Sequence, residues 1–310
     1  MNDFELLKKM CSIHAPSGDE SAMTDFLLSY IKKESKNWKH KVTVYSGPEF
    51  QDCIILVFGK PRTTIYAHID SIGYTAGYEN NLLRIGGPQP GEGDRLVGKD
   101  AKGKIECELV VIDHEDGGRG LNYLFKRKIE RGTSLTFKPI WRESKEYIQC
   151  CYMDNRLGVY NALKVAETLK DGAIVFSTYE EHSGGTVGAL ARFLLEKYKV
   201  RQSLISDITW VTHGVKHGKG VAISMRDSGI PRQSYVRRII DLAKKSKIPF
   251  QLEVESAGGS DGTAIQKSDN LIDWCFIGAP EDNVHTPHEK VHKKDIAAMI
   301  SLYSYLMKKL

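Results

Sequence analysis

The chain has 310 residues and a formal charge of +5, and 41% of its residues are hydrophobic and 27% charged. This length can bury a large core, and the composition is that of an ordinary globular protein, which excludes a disordered chain. No run of about 18 apolar residues occurs, which excludes a membrane-spanning helix. Lysine and arginine occur as separated pairs and not as a basic stripe interleaved with aromatic residues, so nucleic acid is not an expected partner.

The expected location is the cytoplasm. The start MNDFELLKK lacks the apolar core of a secretory signal. The six cysteines are scattered without CxxC spacing, mostly in apolar contexts where a small buried thiol is the usual state. A reducing compartment suits this pattern.

The N-terminal part predicts helices followed by buried strands. In DESAMTDFLLSYIKK the apolar residues recur at helical spacing after a Pro-Ser-Gly turn. The next apolar runs, CIILVFG (53–59) and TTIYAHID (63–70), are short, β-branched and nearly continuous, which is typical of strands buried on both faces.

Between Gly73 and Tyr147 the pattern changes to short alternating segments broken by glycine, with one ambiguous stretch at 123–128. Strands joined by Gly-rich turns predict a small β-rich, barrel-like domain. We therefore expect an inserted domain at residues 74–147, which divides the main domain into residues 1–73 and 148–310.

From Asp154 onwards helical and strand patterns alternate, up to a final helix KKDIAAMISLYSYLMKK. This alternation predicts an α/β fold, a three-layer α/β/α sandwich around a mixed, largely parallel sheet. In open sheets of this kind ligands bind beyond the carboxyl ends of the strands.

Acidic residues and histidines stand at the polar ends of these apolar runs. They are His68 and Asp70 in TIYAHID, Asp154 in CYMDNRLG, Glu180 and Glu181 in STYEEHSGG, Asp207 in LISDIT, and His285 in VHTPHE. Two imidazoles and several carboxylates are the donors that a two-metal hydrolytic site requires. The pattern therefore predicts a metallohydrolase.

Each residue also has an ordinary explanation when it is taken alone. His68 fits a core histidine, Asp154 a helix N-cap and Asp207 a cap or turn residue. The adjacent pair Glu180 and Glu181 is more specific, because two neighbouring carboxylates at a strand end repel each other unless one binds a cation.

The last candidate ligand has two competitors nearby. His285 is preferred because Pro287 fixes a turn after it. His288 and His292 look like positions on the exposed approach to the final helix, but either could replace His285.

Taken together and in this order, the motifs resemble the M42 family of metallo-aminopeptidases, within the zinc peptidase clan that also holds the M20 and M28 families. The resemblance also rests on RIGGPQPGEGDRLVG and RGTSLTFKPIW in the insert and on SAGGSDGTAI at 256–265. The insert lies between His68 and Asp154, as in M42, whereas M20 enzymes place theirs after the fourth ligand.

The resemblance implies five metal ligands and two supporting residues. Asp154 would bridge two divalent ions, most often zinc with cobalt as the alternative, with His68 and Asp207 on one and Glu181 and His285 on the other. Glu180 would be the general base for a hydroxide that bridges the ions, and Asp70 would stand behind His68. The family also implies a cis peptide between Asp154 and Asn155.

The implied activity is release of N-terminal residues from peptide substrates by a homo-oligomer with no membrane partner, and the insert would act in assembly and as a lid. Ser260, Asp261 and Gly262 would line the substrate side. Two other functions stay open: a metal-dependent carboxypeptidase or deacylase with the same metals, and a metal-binding scaffold without catalysis.

Overall fold

The computed structural model describes residues 4–113, 119–182 and 184–310. Residues 114–118 of the predicted insert, and Ser183 at the predicted strand-to-helix junction, lie outside this part. In the described ranges the helices are α1 (Glu5–Cys11), α2 (Ser21–Glu34), α3 (Met153–Ala166), α4 (Val187–Tyr198), α5 (Gln233–Ser246), α6 (Asp261–Lys267) and α7 (Lys293–Lys309).

The strands of the described ranges form two sheets. They are β1 (Val42–Tyr45), β2 (Ile54–Phe58), β3 (Thr64–His68), β4 (Gly73–Ala76), β5 (Leu82–Ile85), β6 (Arg95–Asp100), β7 (Gly103–Asp113), β8 (Arg119–Leu124), β9 (Ser134–Phe137), β10 (Arg142–Glu143), β11 (Tyr147–Gln149), β12 (Gly172–Ser177), β13 (Gln202–Trp210), β14 (Val221–Arg226), β15 (Phe250–Val254), β16 (Asp273–Asp282) and β17 (Lys290–His292).

The larger sheet confirms the predicted fold class. Its order is β1-β2-β12-β3-β13-β16-β17-β11-β10, with β14 and β15 branching from β16. The centre, β12-β3-β13-β16, is parallel, and antiparallel strands complete both edges. The result is a mixed sheet whose parallel centre brings several carboxyl ends to one edge.

The continuous apolar run of β2 serves two cores, which explains why it shows no alternation of polar and apolar residues. Ile54, Leu56 and Phe58 join the core on the side of α1, α2, α3, α5 and α7. Cys53, Ile55 and Val57 join the core on the side of α4 and α6. Successive strand residues point to opposite faces, so both faces must be apolar when helices cover both.

The smaller sheet has the order β5-β4-β9-β6-β7-β8 and is antiparallel throughout. A bridge between Asn81 and Asn122 joins its two end strands, so the sheet closes in the manner of a small barrel. The chain then returns to the larger sheet through β10 and β11, which pair with each other and with β17. This return begins at β10, before the predicted boundary at residue 147.

Some elements differ from the sequence predictions. Strand β15 was not predicted although FQLEVE alternates apolar and polar residues, because the segment is short and follows a lysine-rich helix end. Strand β16 continues beyond the predicted DWCFIGAP to Asp282, and the ambiguous stretch at 123–128 is the end of β8 followed by a loop. Among the helices of the described ranges, none combines the length and apolar character needed to cross a bilayer.

Helix α7 anchors the centre of the sheet, and a core substitution there tests the packing. The hydroxyl of Tyr303 donates to the carbonyls of Ile205 at 2.5 Å and Ile277 at 2.8 Å, and Leu302 beside it is fully buried. We expect Leu302→Ala to lower the free energy of unfolding by about 2–5 kcal/mol, since it leaves a cavity. Leu271→Ala, at a residue 85% exposed, is the matched control with little change. Chemical denaturation measures both, and equal midpoints would contradict this packing.

Candidate metal centre

The sequence candidates meet at the carboxyl edge of the parallel strands. His68 is the last residue of β3 and lies beside Ser177, the last residue of β12. The chain after β12 carries Glu180 and Glu181, β13 carries Asp207, and His285 follows the end of β16. The parallel register is therefore what brings residues more than 200 positions apart in sequence to one place.

Asp154 reaches this edge from the start of α3, where the backbone leaves helical geometry. Asp154 and Asn155 have non-helical angles, and the peptide bond between them is cis, as the resemblance implies. The Asn155 side chain accepts from the Gly158 amide at 2.9 Å and donates to the Ser206 carbonyl at 2.9 Å. Asn155 thus stabilises the first turn of the helix, and the Asp154 carboxylate is free to face the histidines.

The two oxygens of Asp154 face different imidazoles. Oδ1 lies 3.3 Å from Nε2 of His68, which is itself 3.5 Å from Oδ2 of Asp207. Oδ2 lies 3.2 Å from Nε2 of His285, which is 3.2 Å from Oε2 of Glu181. The five side chains therefore divide into two groups of three that share Asp154.

These separations fit cation binding. Donor atoms held tetrahedrally at about 2.0–2.2 Å from zinc lie about 3.3–3.6 Å apart, and the four separations above run from 3.2 to 3.5 Å. One donor atom each from His68, Asp154 and Glu181 lies within 4.8 Å of the others. Oε1 of Glu181 is buried without a hydrogen-bond partner among the described residues. The chemistry and spacing of the donors suit divalent metal ions.

Asp70 organises the residues around His68 without facing the centre. It is fully buried, and its Oδ1 lies 3.4 Å from Nδ1 of His68. Its two oxygens accept from the amides of Glu180 and Glu181, both at 3.1 Å, and from the Ser17 hydroxyl at 2.5 Å. One carboxylate thus lies against the candidate ligand His68 and holds the turn that carries the adjacent glutamates.

Electrostatics at the centre show an excess of negative charge. Burial alone would lower the pKa of His285, but the carboxylates of Glu181 and Asp154 raise it to about 12. Burial opposes protonation of His68 too, and Asp207 and Asp154 raise its pKa well above the ordinary value. Burial raises the pKa of Asp207 to about 7, with a contribution from Asp154. A cation placed among these groups would relieve the repulsion.

Glu180 faces the same centre from the strand end. Its Oε2 lies 3.8 Å from Nε2 of His68, and its side chain is 16% exposed. Burial raises the pKa of Glu180 most, and the neighbouring carboxylates of Asp207 and Glu181 raise it further. Glu180 is thus a carboxylate within reach of the centre, next to the ligand candidates.

Two supporting groups around His285 were not predicted from the sequence. The ring Nδ1 of His285 donates to the carbonyl of Gly87 at 3.1 Å. Gly87 lies just after β5 of the smaller sheet. Glu289 is fully buried, and its carboxylate accepts from the amides of His285 at 3.0 Å and Asp154 at 3.4 Å. Glu289 stands only four residues after His285 in VHTPHE, which was a readable signal, whereas no local pattern pointed to Gly87.

The other histidines of the C-terminal motif lie elsewhere. His288 is exposed. His292 is buried against the Tyr147 ring, with ring centroids 4.8 Å apart, and its Nδ1 accepts from the Lys294 amide as the cap of α7. The expectation that His292 is exposed is therefore wrong, and the reason is this capping role.

The residues after Ser256 that line the substrate side are not the predicted ones. Ser260 caps α6 through the Gly262 amide at 3.1 Å, and buried Asp261 accepts from the Ser177 hydroxyl at 2.5 Å. Of this segment, residues 257–259, just before Ser260, line a cavity that lies over the candidate metal centre. The prediction that Ser260, Asp261 and Gly262 line the substrate side is corrected to that preceding stretch.

A cavity of about 290 Å³ opens directly over the candidate metal centre. Its floor contains Glu180 and four of the five candidate ligands, all but His68. Apolar side chains such as Trp210 and Phe276 form part of its wall, and the carboxylates of Asp227, Glu253 and Glu255 form another part. The centre is thus open to a small group that enters from this side.

Comparison with known proteins indicates the family and the fold of this chain. The family model for the M42 glutamyl aminopeptidase matches residues 99–302. A TET aminopeptidase from Thaumarchaeota archaeon SCGC AB-539-E09 has 18% identity and a TM-score of 0.86, over 100% of this chain and 98% of that one. Aminopeptidase APDkam598 from Desulfurococcus kamchatkensis has 21% identity and a TM-score of 0.85, over 99% and 95%.

A third structure is the TET1 peptidase of Pyrococcus horikoshii, with 21% identity and a TM-score of 0.80 over 100% of both chains. At these identities the structural likeness supports the fold. The family model, however, covers well over half of the chain, including the region from Asp154 to His285. The chain therefore belongs to the M42 family and is a peptidase of the aminopeptidase type.

Proposed function

We propose that this aminopeptidase works with two divalent metal ions that share Asp154. The observation that carries the proposal is that each Asp154 oxygen faces a different imidazole, at 3.3 Å and 3.2 Å. His68 and Asp207 would complete one site, and Glu181 and His285 the other. A single-ion centre would not require two such groups on opposite oxygens of one carboxylate.

The donor set favours zinc, with cobalt as the alternative. Imidazole nitrogen and carboxylate oxygen together suit borderline cations, and no thiol takes part. The three ligand carboxylates carry three negative charges, which leaves a net positive charge when two divalent ions are bound. The negative charge of an attacking hydroxide would then neutralise the site.

Glu180 is the proposed general base. Bound divalent ions supply Lewis-acid chemistry, because they polarise the scissile carbonyl and lower the pKa of the attacking water. Glu180 lies at the cavity floor, where its carboxylate would accept the proton of that water and later deliver it to the leaving amine. Asp70 would hold the ring of His68 in place throughout.

The inserted sheet has a proposed role in assembly. A TET peptidase of similar fold is described as assembling into a tetrahedron or a large octahedral shell. In this chain the β-rich insert exposes large apolar side chains, with Tyr78 74%, Leu83 58% and Leu124 64% exposed. Side chains of this kind on one unit favour contact with another copy. We propose a homo-oligomer in which the unit predicted at residues 74–147 contributes to assembly and partly covers the centre.

Replacing the proposed base tests the chemistry. We expect Glu180→Gln to keep the bound metal and to lower kcat on aminoacyl anilides by about 100-fold or more, since a general base contributes about 10²–10⁴-fold. Glu196→Gln, at an exposed position on α4, is the control and should keep wild-type activity. Metal content by mass spectrometry and steady-state rates are the measurements.

Three results would contradict the proposed function or the assignment of its base. A Glu180→Gln enzyme as fast as wild type would exclude Glu180 as the base. Turnover of N-acyl amino acids with none of aminoacyl anilides would favour the deacylase or carboxypeptidase alternative. Metal binding without any hydrolysis by the wild-type chain would favour the scaffold alternative.

The ligand histidine can be tested against its neighbour. We expect His285→Ala to hold about one metal ion fewer per chain than wild type, because it removes the imidazole between Asp154 and Glu181. His288→Ala is the matched control and should retain both ions. Metal stoichiometry after dialysis measures this, and an equal loss in both variants would remove His285 from the proposed set.

Metal binding should release protons. In the metal-free protein the pKa values of His285 and His68 lie above the ordinary value, because carboxylates lie against both rings. Both imidazoles are therefore protonated at neutral pH and must lose their protons to bind metal, so the apparent affinity rises with pH. Titration calorimetry in two buffers of different ionisation enthalpy measures the protons released. Heats that are independent of the buffer would exclude this coupling.

A further inference from the structure

The cavity over the metal centre carries more negative charge than the metal ions would balance. Beyond the ligand carboxylates and Glu180, its wall contains Asp227, Glu253 and Glu255, which we call the acidic wall. Asp227 is 7% exposed and Glu253 is 3% exposed. Carboxylates at this depth are uncommon unless a cation or several donors accompany them.

The protein supplies few hydrogen-bond donors to the carboxylates of the acidic wall. Oδ1 of Asp227 accepts from the Gly229 amide at 2.5 Å, and Glu253 accepts from the Thr209 hydroxyl. Arg226 lies nearby, but its guanidinium donates to the main-chain carbonyls of Asp227 and Glu255.

In the part of the chain that the structure describes, none of the three acidic-wall carboxylates forms an ion pair with lysine or arginine, and neither residue type lines the cavity. Burial raises the pKa of Asp227 and of Glu253, and the nearby charge of Arg226 offsets this only in part for Asp227. A positive group that entered the cavity would therefore find unused partners.

Apolar surface lies beside this charge. Trp210 and Phe276 line the same cavity, and Trp210 also packs near Gly258, where an added Cβ would come within 3.3 Å of its ring. A side chain with an aliphatic stem and a cationic end matches this combination, because the stem covers apolar surface while the charge meets the carboxylates.

We propose that the acidic wall selects peptides whose N-terminal residue has a cationic side chain, lysine or arginine. This inference rests on the proposed aminopeptidase function and names its substrate class. The metal centre at the cavity floor holds the scissile bond, and the side chain of the N-terminal residue extends along Trp210 and Phe276 to Asp227, Glu253 and Glu255. An N-terminal glutamate would meet like charge there and is disfavoured.

Norleucine is the sharpest reference substrate, because it has the aliphatic stem of lysine without the charge. We expect kcat/KM for lysyl anilide to exceed that for norleucyl anilide by about tenfold or more, and glutamyl anilide to be the poorest. In Glu253→Gln and Glu255→Gln the ratio of lysine to norleucine should fall by about tenfold. Asp241→Asn, an exposed acid on α5 outside the cavity, is the control and should keep the ratio.

Two outcomes overturn the proposal. Lysine no better than norleucine in the wild type would exclude charge selection. An equal loss for every substrate in the acidic-wall variants would assign these carboxylates to the α-amino group that all substrates share.

A binding measurement separates this proposal from the proposed function. Calorimetry with the metal-loaded protein compares lysinamide with norleucinamide, and tighter binding of lysinamide that is lost in Glu253→Gln supports the acidic wall even if no anilide is cleaved. Equal binding of the two amides contradicts it. Absence of all turnover would instead count against the proposed aminopeptidase mechanism.

Discussion

The structure depends on how the protein holds several carboxylates close together at the buried carboxyl edge of the larger sheet. At the carboxyl edge of the sheet, Asp154, Glu181 and Asp207 face two imidazoles at 3.2–3.5 Å, with Glu180 beside them. Such a cluster is unfavourable in a low dielectric unless cations or donors offset it. Arg156, fully buried, places its guanidinium under this region and donates to the carbonyls of Ile69 and Asp70. This crowding of carboxylates in a buried place is the physical basis of the proposal that divalent ions bind at the centre.

The fold makes this concentration of charge possible because its central strands are parallel. Parallel neighbours end at the same edge, so β3 and β12 deliver His68 and the Glu180-Glu181 turn side by side. Strand β16 pairs in parallel with all of β13, which carries the chain past Asp207 towards His285. Helices cover both faces of the sheet, so the open edge is where the polar side chains can meet a substrate.

Much of this could be predicted from the sequence, and what escaped prediction has a common cause. The buried strands and the acids at their ends are local patterns, so His68, Glu180, Glu181 and Asp207 could be selected as candidates without a structure. The acidic wall joins Glu253 of the unpredicted β15 with Asp227 after β14, and only the pairing of these strands brings them together. The prediction that His292 is exposed was wrong for a similar reason. Its cap of α7 and its packing against the Tyr147 ring are not visible in the neighbouring sequence.

Residues after strand β5 of the inserted sheet form hydrogen bonds with His285 of the candidate metal centre. The carbonyl of Gly87 accepts from the ring of His285, and the Gln89 amide donates to the His285 carbonyl at 2.9 Å. Gly86 has a positive φ of +69°, and an added Cβ there would lie 3.0 Å from the carbonyl oxygen of Glu181, so glycine is what permits this close approach. A hydrogen bond to the second ring nitrogen fixes which nitrogen of a histidine is available to a metal. Any movement of the insert, whether from assembly or from substrate entry, therefore acts on the orientation of a candidate ligand, and this connects the proposed assembly surface to the chemistry at the centre.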